Sequence, residues 1–452
     1  MKKLLTGLSC IVILSICILN YNCQETFIEI RNTDLKGIKT KATANAQVVA
    51  KNKNGKSASK RYVNIVIKNA DYSSIYHSNV AVKAKSMSIY YGKNFRNKIN
   101  SKKANLQSDS KYFKNHHVVK ISAKGEMTVE GHNVEHGSPS YNGMFYIYKT
   151  GQGLVIVNHV ALEEYVARVI SSEIGEQAPL EALKAQAVCA RTYILKSKGK
   201  DYKKYNAVAD DSTDFQVYNR ISPGKKCYQA AKETAGIVMK YKDKLINAYY
   251  FSTSCGYTTD YKIWGKEKQM YLKGENITKE KDKELKNNSS FKKYIMSCPK
   301  AYEADCPFYR WETTLTLEQI SNGIYAVTGN NIGKIKNIEV NTRGTGGIAS
   351  QITVYGSEKQ IIFKNQNDIR KALCSKYAGI QLQNGEKRTG MAMLPSAFIH
   401  IEKQGNSFKI RGGGYGHGSG MSQNAAIEMA KEKLSYVVIL KKFYNDVELV
   451  KQ

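Results

Sequence analysis

Beyond residue 60, apolar and polar positions alternate in short runs. "YVNIVIKNA", "NVAVKAKSMSIYYG", "HHVVKISAKGEMTVEG", "GMFYIYKTG" and "GLVIVNHV" are rich in β-branched and aromatic residues and are separated by Gly, Asn and Ser. That pattern predicts strands, and a β-rich region reaching to about residue 160. The period then lengthens. In "ALEEYVARVI", Leu162, Tyr165, Val166 and Val169 fall on one helical face. After a short loop Pro179 suits a first helical turn. Leu180, Leu183, Ala187, Val188 and Arg191 follow at three- and four-residue steps. Ala182, Ala185, Ala187 and Ala190 are small enough for close packing, so this second helix is expected to be buried and central. Glu173 and Glu176 are placed in the loop before it, and Glu181 just inside it.

Farther on, "AGIVMKYKDKLINAYYFSTSCGYTTD" reads as a hairpin ending in a turn-rich loop. Residues 274–290 are charged and polar, the signature of an exposed insertion. "RWETTLTLEQISNGIYAVTG" reads as a strand and then a helix, and "IKNIEVNTRGTGGIASQITVYG" as a hairpin with a glycine-rich turn. The glycine-dense "RGGGYGHGSG" leads into a helix from about Ser422 and a second helical segment near Tyr436. No internal repeat is found. The expected fold is α+β: a β-rich N-terminal region, then a mixed α/β core with a buried alanine-rich helix and an inserted smaller domain. The expected segments are 1–23, a signal peptide or membrane anchor; 24–60, a polar linker; 61–140, a basic β-rich domain; and 141–447, the core, with its insertion at about 270–400.

Charge changes the picture more than length does. The 452 residues carry 69 Lys and Arg against 38 Asp and Glu, a net +31. Residues 51–125 alone hold 17 Lys and Arg against Asp71 and Asp109. Such a surface attracts polyanions, an anionic membrane face or anionic wall polymers among them, although a merely solvated basic face is the plainer reading. No zinc-finger spacing, ribonucleoprotein signature or helix-turn-helix is found, so nucleic acid is not the expected partner. The N-terminus narrows the compartment. Lys2 and Lys3 precede a mostly apolar run to Leu19 with no clear cleavage site. The chain is expected to be exported, with this segment as a cleaved signal peptide or, as favoured here, a short anchor that leaves the rest outside.

The cysteines form no CxxC. Cys189, in the alanine-rich helix, reads as a small core residue. Cys298 and Cys306 lie eight positions apart in "CPKAYEADCP", and in an exported protein a local disulfide is the first expectation. A zinc site that Cys255 joins is the second. The glycine loop at 412–420 lacks GK[ST] and the dinucleotide spacing, which argues against a nucleotide. His417 within it is either a cleft residue or a structural histidine.

At these blocks the sequence resembles the stage II sporulation protein D and amidase-enhancer family of bacterial cell-wall proteins. The likeness rests on "LVIVNHVALEEYVARVISSEIGEQAPLEALKAQAVCARTYIL", "DFQVY", "AYYFSTSCGYT", "MLPSAFIHI" and "GGGYGHGSGMSQNAAIEMA", in that order. These span roughly residues 141–446, with weaker similarity from 61. The resemblance implies an exported or membrane-anchored protein acting on peptidoglycan. Some members are lytic transglycosylases that cut glycan strands stripped of stem peptides during forespore engulfment, alongside a partner amidase. It implies that Glu173 is the catalytic residue, and that Gln186, Arg191, Tyr193, Gln216, Tyr218, Ser252, His417, Ser422 and Gln423 line the cleft. Some members carry a structural zinc. Here Phe251 stands where many have histidine, and Ser172 and Ile174 flank Glu173 where Pro and Met are frequent.

A single carboxylate is chemically sufficient for that reaction. Ordinary glycosidases need two. A lytic transglycosylase instead closes the sugar's own C6 hydroxyl onto C1, so the nucleophile comes with the substrate, already positioned. One Glu of raised pKa in a partly apolar site, with Ile174 and "YVARVI" as its wall, can serve as acid and then base. Glu181 has a sufficient structural explanation in the helix dipole. The alternative is a non-catalytic wall-binding protein that enhances an autolytic amidase.

Overall fold

The computed structural model describes residues 61–452 except 132–138, 198, 220, 261 and 263–267. The expected anchor and linker at 1–60 lie outside the described residues. Within them the fold is α+β with a β-rich N-terminal region, as the patterning predicts.

Nine strands build the first sheet: β1 (Tyr62–Ile67), β2 (Asn79–Tyr91), β3 (Asn97–Gln107), β4 (Val118–Ala123), β5 (Met127–Val129), β6 (Ser140–Tyr141), β7 (Met144–Thr150), β8 (Gly153–Ala161) and β9 (Ala209–Asp210). Their order is β6-β5-β2-β4-β7-β8-β1-β9, with β3 on β2. β7 pairs with β4 and β8 with β1, both antiparallel, so one sheet runs continuously across residue 140. Strict alternation fails in β8 for a physical reason. Leu154 and Ile156 face the main core while Val155 and Val157 face a second cluster with Val66, Tyr205 and Ala207. A strand covered on both sides reads as a continuous apolar run. On β2 and β3, Lys83, Lys85, Lys98, Lys102 and Lys103 are exposed and form part of the basic surface.

Helix α1 (Leu162–Glu173) follows β8 and packs on that sheet; α2 (Leu180–Lys196) lies at the centre of the helical layer. Ala182, Ala185, Ala187 and Ala190 are all fully buried, because α2 touches α1, α3 (Lys225–Glu233) and the two C-terminal helices on different sides.

The inserted region has its own core around Trp311, Leu315, Ile324, Ile352, Phe408 and Ile410. It holds a five-stranded sheet, a three-stranded sheet and helices α4 (Asn288–Met296), α5 (Leu317–Thr328) and α6 (Gln366–Ala372). α5 starts with a capping box, Thr316 and Gln319 bonding each other's backbone N–H, and stops at Gly329 in the left-handed conformation. The stretch 274–290 is exposed along its charged part, but Ile277 and Leu285 are buried and pin it down. The chain leaves the first layer after Tyr250–Phe251 and returns at Met421–Ser422, and these two pairs lie parallel as a short two-stranded sheet. The last helices, α7 (Gln423–Lys431) and α8 (Tyr436–Phe443), then pack on α2. No described helix is long and apolar enough to cross a membrane.

Candidate active site

A cleft of about 770 Å³ opens between the helical layer and the inserted region. Glu173, Tyr193, Ser252, His417 and Gln423, five of the residues assigned to the site from sequence, line it together. Gln186, Arg191, Gln216, Tyr218 and Ser422 do not; each is buried behind it.

Glu173 is the last residue of α1 and not a loop residue. Ile174 leaves the helix, and Gly175 takes a left-handed φ of 81° while its N–H reaches Ile170 O at 3.2 Å. The turn leaves the half-buried Glu173 side chain on the cleft wall, where its Oε1 accepts the Val217 N–H at 2.7 Å. Its carbonyl accepts from Gln423 Nε2 at 3.4 Å. Ile174 is buried away from the cleft, so the apolar wall comes from Tyr193, Phe215, Val217, Tyr250 and Phe251 instead. Burial, and then the charge of Glu173, push the Tyr250 phenol well above its usual range.

The two neighbouring glutamates have structural work. Glu176 caps α3: its Oε1 accepts Lys226 N–H at 2.8 Å and its Oε2 Cys227 N–H at 3.2 Å. A Cβ at Gly224 would meet the Glu176 carboxyl carbon at 2.4 Å, so any larger residue there would push the capping carboxyl aside. Burial opposes the charged form, but the hydrogen bonds from Cys227 and Lys226 win and hold the carboxyl below its usual range. A depressed carboxyl stabilises the fold above its unfolded pKa and loses that contribution as pH falls through the folded value. Glu176→Ala is therefore expected to cost about 1 kcal/mol at neutral pH, with the deficit vanishing in acid; denaturant titrations at pH 7 and pH 3 check this. Glu181 accepts from Lys184 Nζ at 2.8 Å and from Tyr436 N–H at 2.8 Å, tying the start of α2 to the start of α8.

Four of the five residues behind the cleft have structural partners. Arg191 is fully buried and forks onto Glu163, with Nε to Oε1 at 3.0 Å and Nη2 to Oε2 at 2.5 Å, and Nη1 reaches Ile237 O. It bolts α1 to α2 and to the strand Ile237–Tyr241. Gln216 bridges, donating to Tyr165 Oη at 3.1 Å and accepting from Tyr250 Oη at 3.2 Å, so it positions a cleft residue without lining the cleft. Tyr218 stacks on Tyr165 and donates to Asn158 Oδ1 at 2.7 Å. Gln186 is fully buried on α2, and neither amide atom has a hydrogen-bond partner among the described residues.

The glycine loop supplies the facing residues Tyr415, Gly416 and His417. Gly416 has φ 119°, and a Cβ there would meet that of Phe251 at 2.7 Å, so glycine lets the loop close over the Tyr250–Phe251 strand. His417 Nδ1 accepts the Ser419 N–H at 3.1 Å, which places the ring proton on Nε2. Burial, with Arg370 nearby, pulls the imidazole down to about 4, so it is neutral at pH 7.

One carboxylate escaped the sequence reading. Glu303 is fully buried and accepts Ser254 N–H at 2.8 Å together with the Ser254 and Ser422 hydroxyls. Burial pushes it up to about 7 against those hydrogen bonds. Ser422 therefore holds an internal acid and does not face the cleft. "AYEADCP" gives no signal for this, because a charged loop segment reads as exposed.

The disulfide expectation is corrected. Cys298 and Cys306 are separate thiols, Cys298 exposed and Cys306 turned inward beside Glu303, with burial raising its pKa. The loop is closed by Tyr309 Oη on Pro299 O at 3.1 Å and by Arg310 Nε on Ser297 O at 3.0 Å. The residues do not fit a zinc site either. Cys255 is buried with its thiol pushed up to about 11, and no three His, Cys, Asp or Glu side chains gather to hold a metal among the described residues.

The family described as "Stage II sporulation protein" matches residues 150–241, and a domain of unknown function, DUF8618, matches 258–420. An uncharacterized protein of Brachyspira hyodysenteriae is 28% identical over 321 residues, 69% of this chain and 72% of that protein. The amidase enhancer of Bacillus subtilis is 28% identical over 289 residues, 62% of this chain but only 39% of the enhancer. The stage II sporulation protein D of Bacillus amyloliquefaciens is 27% identical over 320 residues, 67% of this chain and 77% of that protein. The likeness to the stage II sporulation protein D and amidase-enhancer family is thus shown, at about 27% identity over most of the chain.

Proposed function

We propose that this protein acts on the bacterial cell wall in sporulation, as a lytic transglycosylase on peptide-free glycan strands. The observation that carries the reading is Glu173, fixed by the Val217 N–H on the wall of an aromatic-lined cleft wide enough for sugar rings. Its place at the C-terminal end of α1 sets the carboxyl on the cleft wall beside Val217 and Tyr250. Asp214, the other acid on the wall, is mostly exposed and pairs with Lys68 at 3.5 Å. His417, neutral at pH 7, is no acid. The protonated Glu173 gives its proton to the glycosidic oxygen as the C1–O bond breaks. The sugar's C6 oxygen closes onto C1 and returns its proton to the carboxylate, so no water enters the product.

Tyr193, Tyr249, Phe308 and Tyr415 offer flat faces for the rings. The lysines of β2 and β3 would hold anionic wall or membrane polymers, with the chain exported and anchored through residues 1–23. A second reading, a non-catalytic partner of a cell-wall amidase, is favoured by the name of the B. subtilis relative. Purified protein incubated with peptide-free glycan strands is expected to release products ending in 1,6-anhydro sugars. Intact strands together with stimulated amidase activity would support the second reading.

A further inference from the structure

Arg370, on α6, lines the cleft yet is only 7% exposed. Its Nε donates to Leu394 O at 2.8 Å, Nη2 to Pro395 O at 3.1 Å and Nη1 to Gln366 Oε1 at 3.4 Å. All three acceptors are neutral, and no salt bridge to a carboxylate pairs with this guanidinium among the described residues. A buried cation without an anion is costly, several kcal/mol by general experience. Burial pulls its pKa down to about 10, and its charge in turn contributes to the lowering at His417. Neutral side chains hold backbone carbonyls as well, so the loop at 394–395 does not require the charge.

Arg388 lines the same cleft; its side chain is 29% exposed and meets Glu386 at 2.8 Å. Both guanidiniums lie close enough to act electrostatically on the Tyr415 phenol. Tyr415 stacks on Phe308 with ring centroids 4.4 Å apart and 20° between planes, and both rings line the cleft. A flat aromatic platform beside two cations matches a ring that carries an anionic group.

We propose that Arg370 and Arg388, with the Phe308–Tyr415 platform, form a subsite in the inserted region for a carboxylate-bearing sugar unit of the glycan. This rests on the glycan-cleft reading above, and it assigns the inserted region a part in choosing the ligand. Each terminal nitrogen of Arg370 keeps a second N–H beyond its bond to Pro395 or Gln366, and a charge-assisted bond from it to a carboxylate is stronger than a neutral one. In wall glycan the carboxylate has two sources: the lactyl substituent of the sugar itself, where no peptide is attached, or the acidic residues of an attached peptide.

The test is calorimetric binding of the full-length chain, wild type, Arg370→Gln and Arg388→Gln, to three probes of matched length. These are peptide-free glycan strands, peptide-bearing strands and uncharged N-acetylglucosamine oligomers. Wild type is expected to bind a charged strand about tenfold or more tightly than the uncharged oligomer. Each variant is expected to lose that advantage and keep its affinity for the oligomer. Preference for peptide-free strands places the carboxylate on the sugar, and preference for peptide-bearing strands alone places it on the peptide. Equal affinity of wild type for charged and uncharged probes, or equal loss of both in the variants, overturns the subsite and leaves the cleft reading intact. Failure of wild type to bind any of the three overturns both. Arg388→Gln, less buried, decides the matter if Arg370→Gln does not fold.

Discussion

Glu173→Gln is expected to slow release of 1,6-anhydro products from peptide-free glycan by about 10²–10⁴-fold, the usual loss when a positioned acid–base group is removed. Glutamine keeps the shape and still accepts the Val217 N–H that Oε1 now takes at 2.7 Å. Folding and glycan affinity should therefore persist, so the effect should fall on kcat with KM nearly unchanged. Glu181→Gln is the control. It weakens ties to Lys184 and the Tyr436 N–H, which are remote in role from the cleft, and should leave the rate within a few-fold. Mass spectrometry of the released saccharides separates the outcomes. Undiminished product from Glu173→Gln would remove this residue from the chemistry altogether.

The fold was legible wherever one physical rule acted alone. β1, β2, β4, β5 and β7 follow from alternation and glycine punctuation, and β8 from a continuous apolar run, whereas β3, "NKINSKKANLQ", is too polar to read as a strand on its own. α2 follows from small residues on every side, and α5 from Thr316, Gln319 and Gly329 at its ends. The apolar helical period of α1 stops at Ile170, which suggests a loop at Glu173, yet nothing in "VISSEIGE" breaks a helix before Gly175, so the last turn runs on through Glu173. The site was half legible. The "DFQVY" and "AYYFSTS" segments both reach the cleft, but alternate positions of the extended "DFQVY" segment point to opposite sides. Phe215 and Val217 line the cleft while Gln216 and Tyr218 are buried behind it. Arg191 shows the same limit on a helix: spacing identifies its face, but only its partner, Glu163, reveals an internal bolt. The aromatic and cationic contributions of Phe308, Arg370, Arg388 and Tyr415 come from the inserted region, far from Glu173 in sequence, and no local pattern ties them to it.

Glu303 makes that long-range tie measurable. It belongs to the inserted region, yet it holds Ser254 beside the Tyr250–Phe251 strand and Ser422 at the start of α7. The next residue, Gln423, reaches the Glu173 carbonyl. A carboxyl raised by burial to about 7 binds a proton in the folded state that the unfolded chain releases near 4.5. Its contribution to stability is therefore fully present below about 4.5 and is lost as pH rises through about 7. The size is on the order of 3 kcal/mol. His417 works the other way over part of this range: lowered to about 4, it favours the fold as pH rises. The wild-type profile alone is thus a mixture, and Asp211, raised to about 8 chiefly by burial, adds to the fall. The difference between wild type and Glu303→Gln isolates Glu303, because the other groups are common to both. Denaturant unfolding of the two proteins at pH 4.5 and pH 8 should show wild type losing on the order of 3 kcal/mol relative to the variant across that interval. A difference that stays constant would mean that Glu303 does not change its protonation on folding, and the internal acid would then be an ordinary hydrogen-bonded carboxylate.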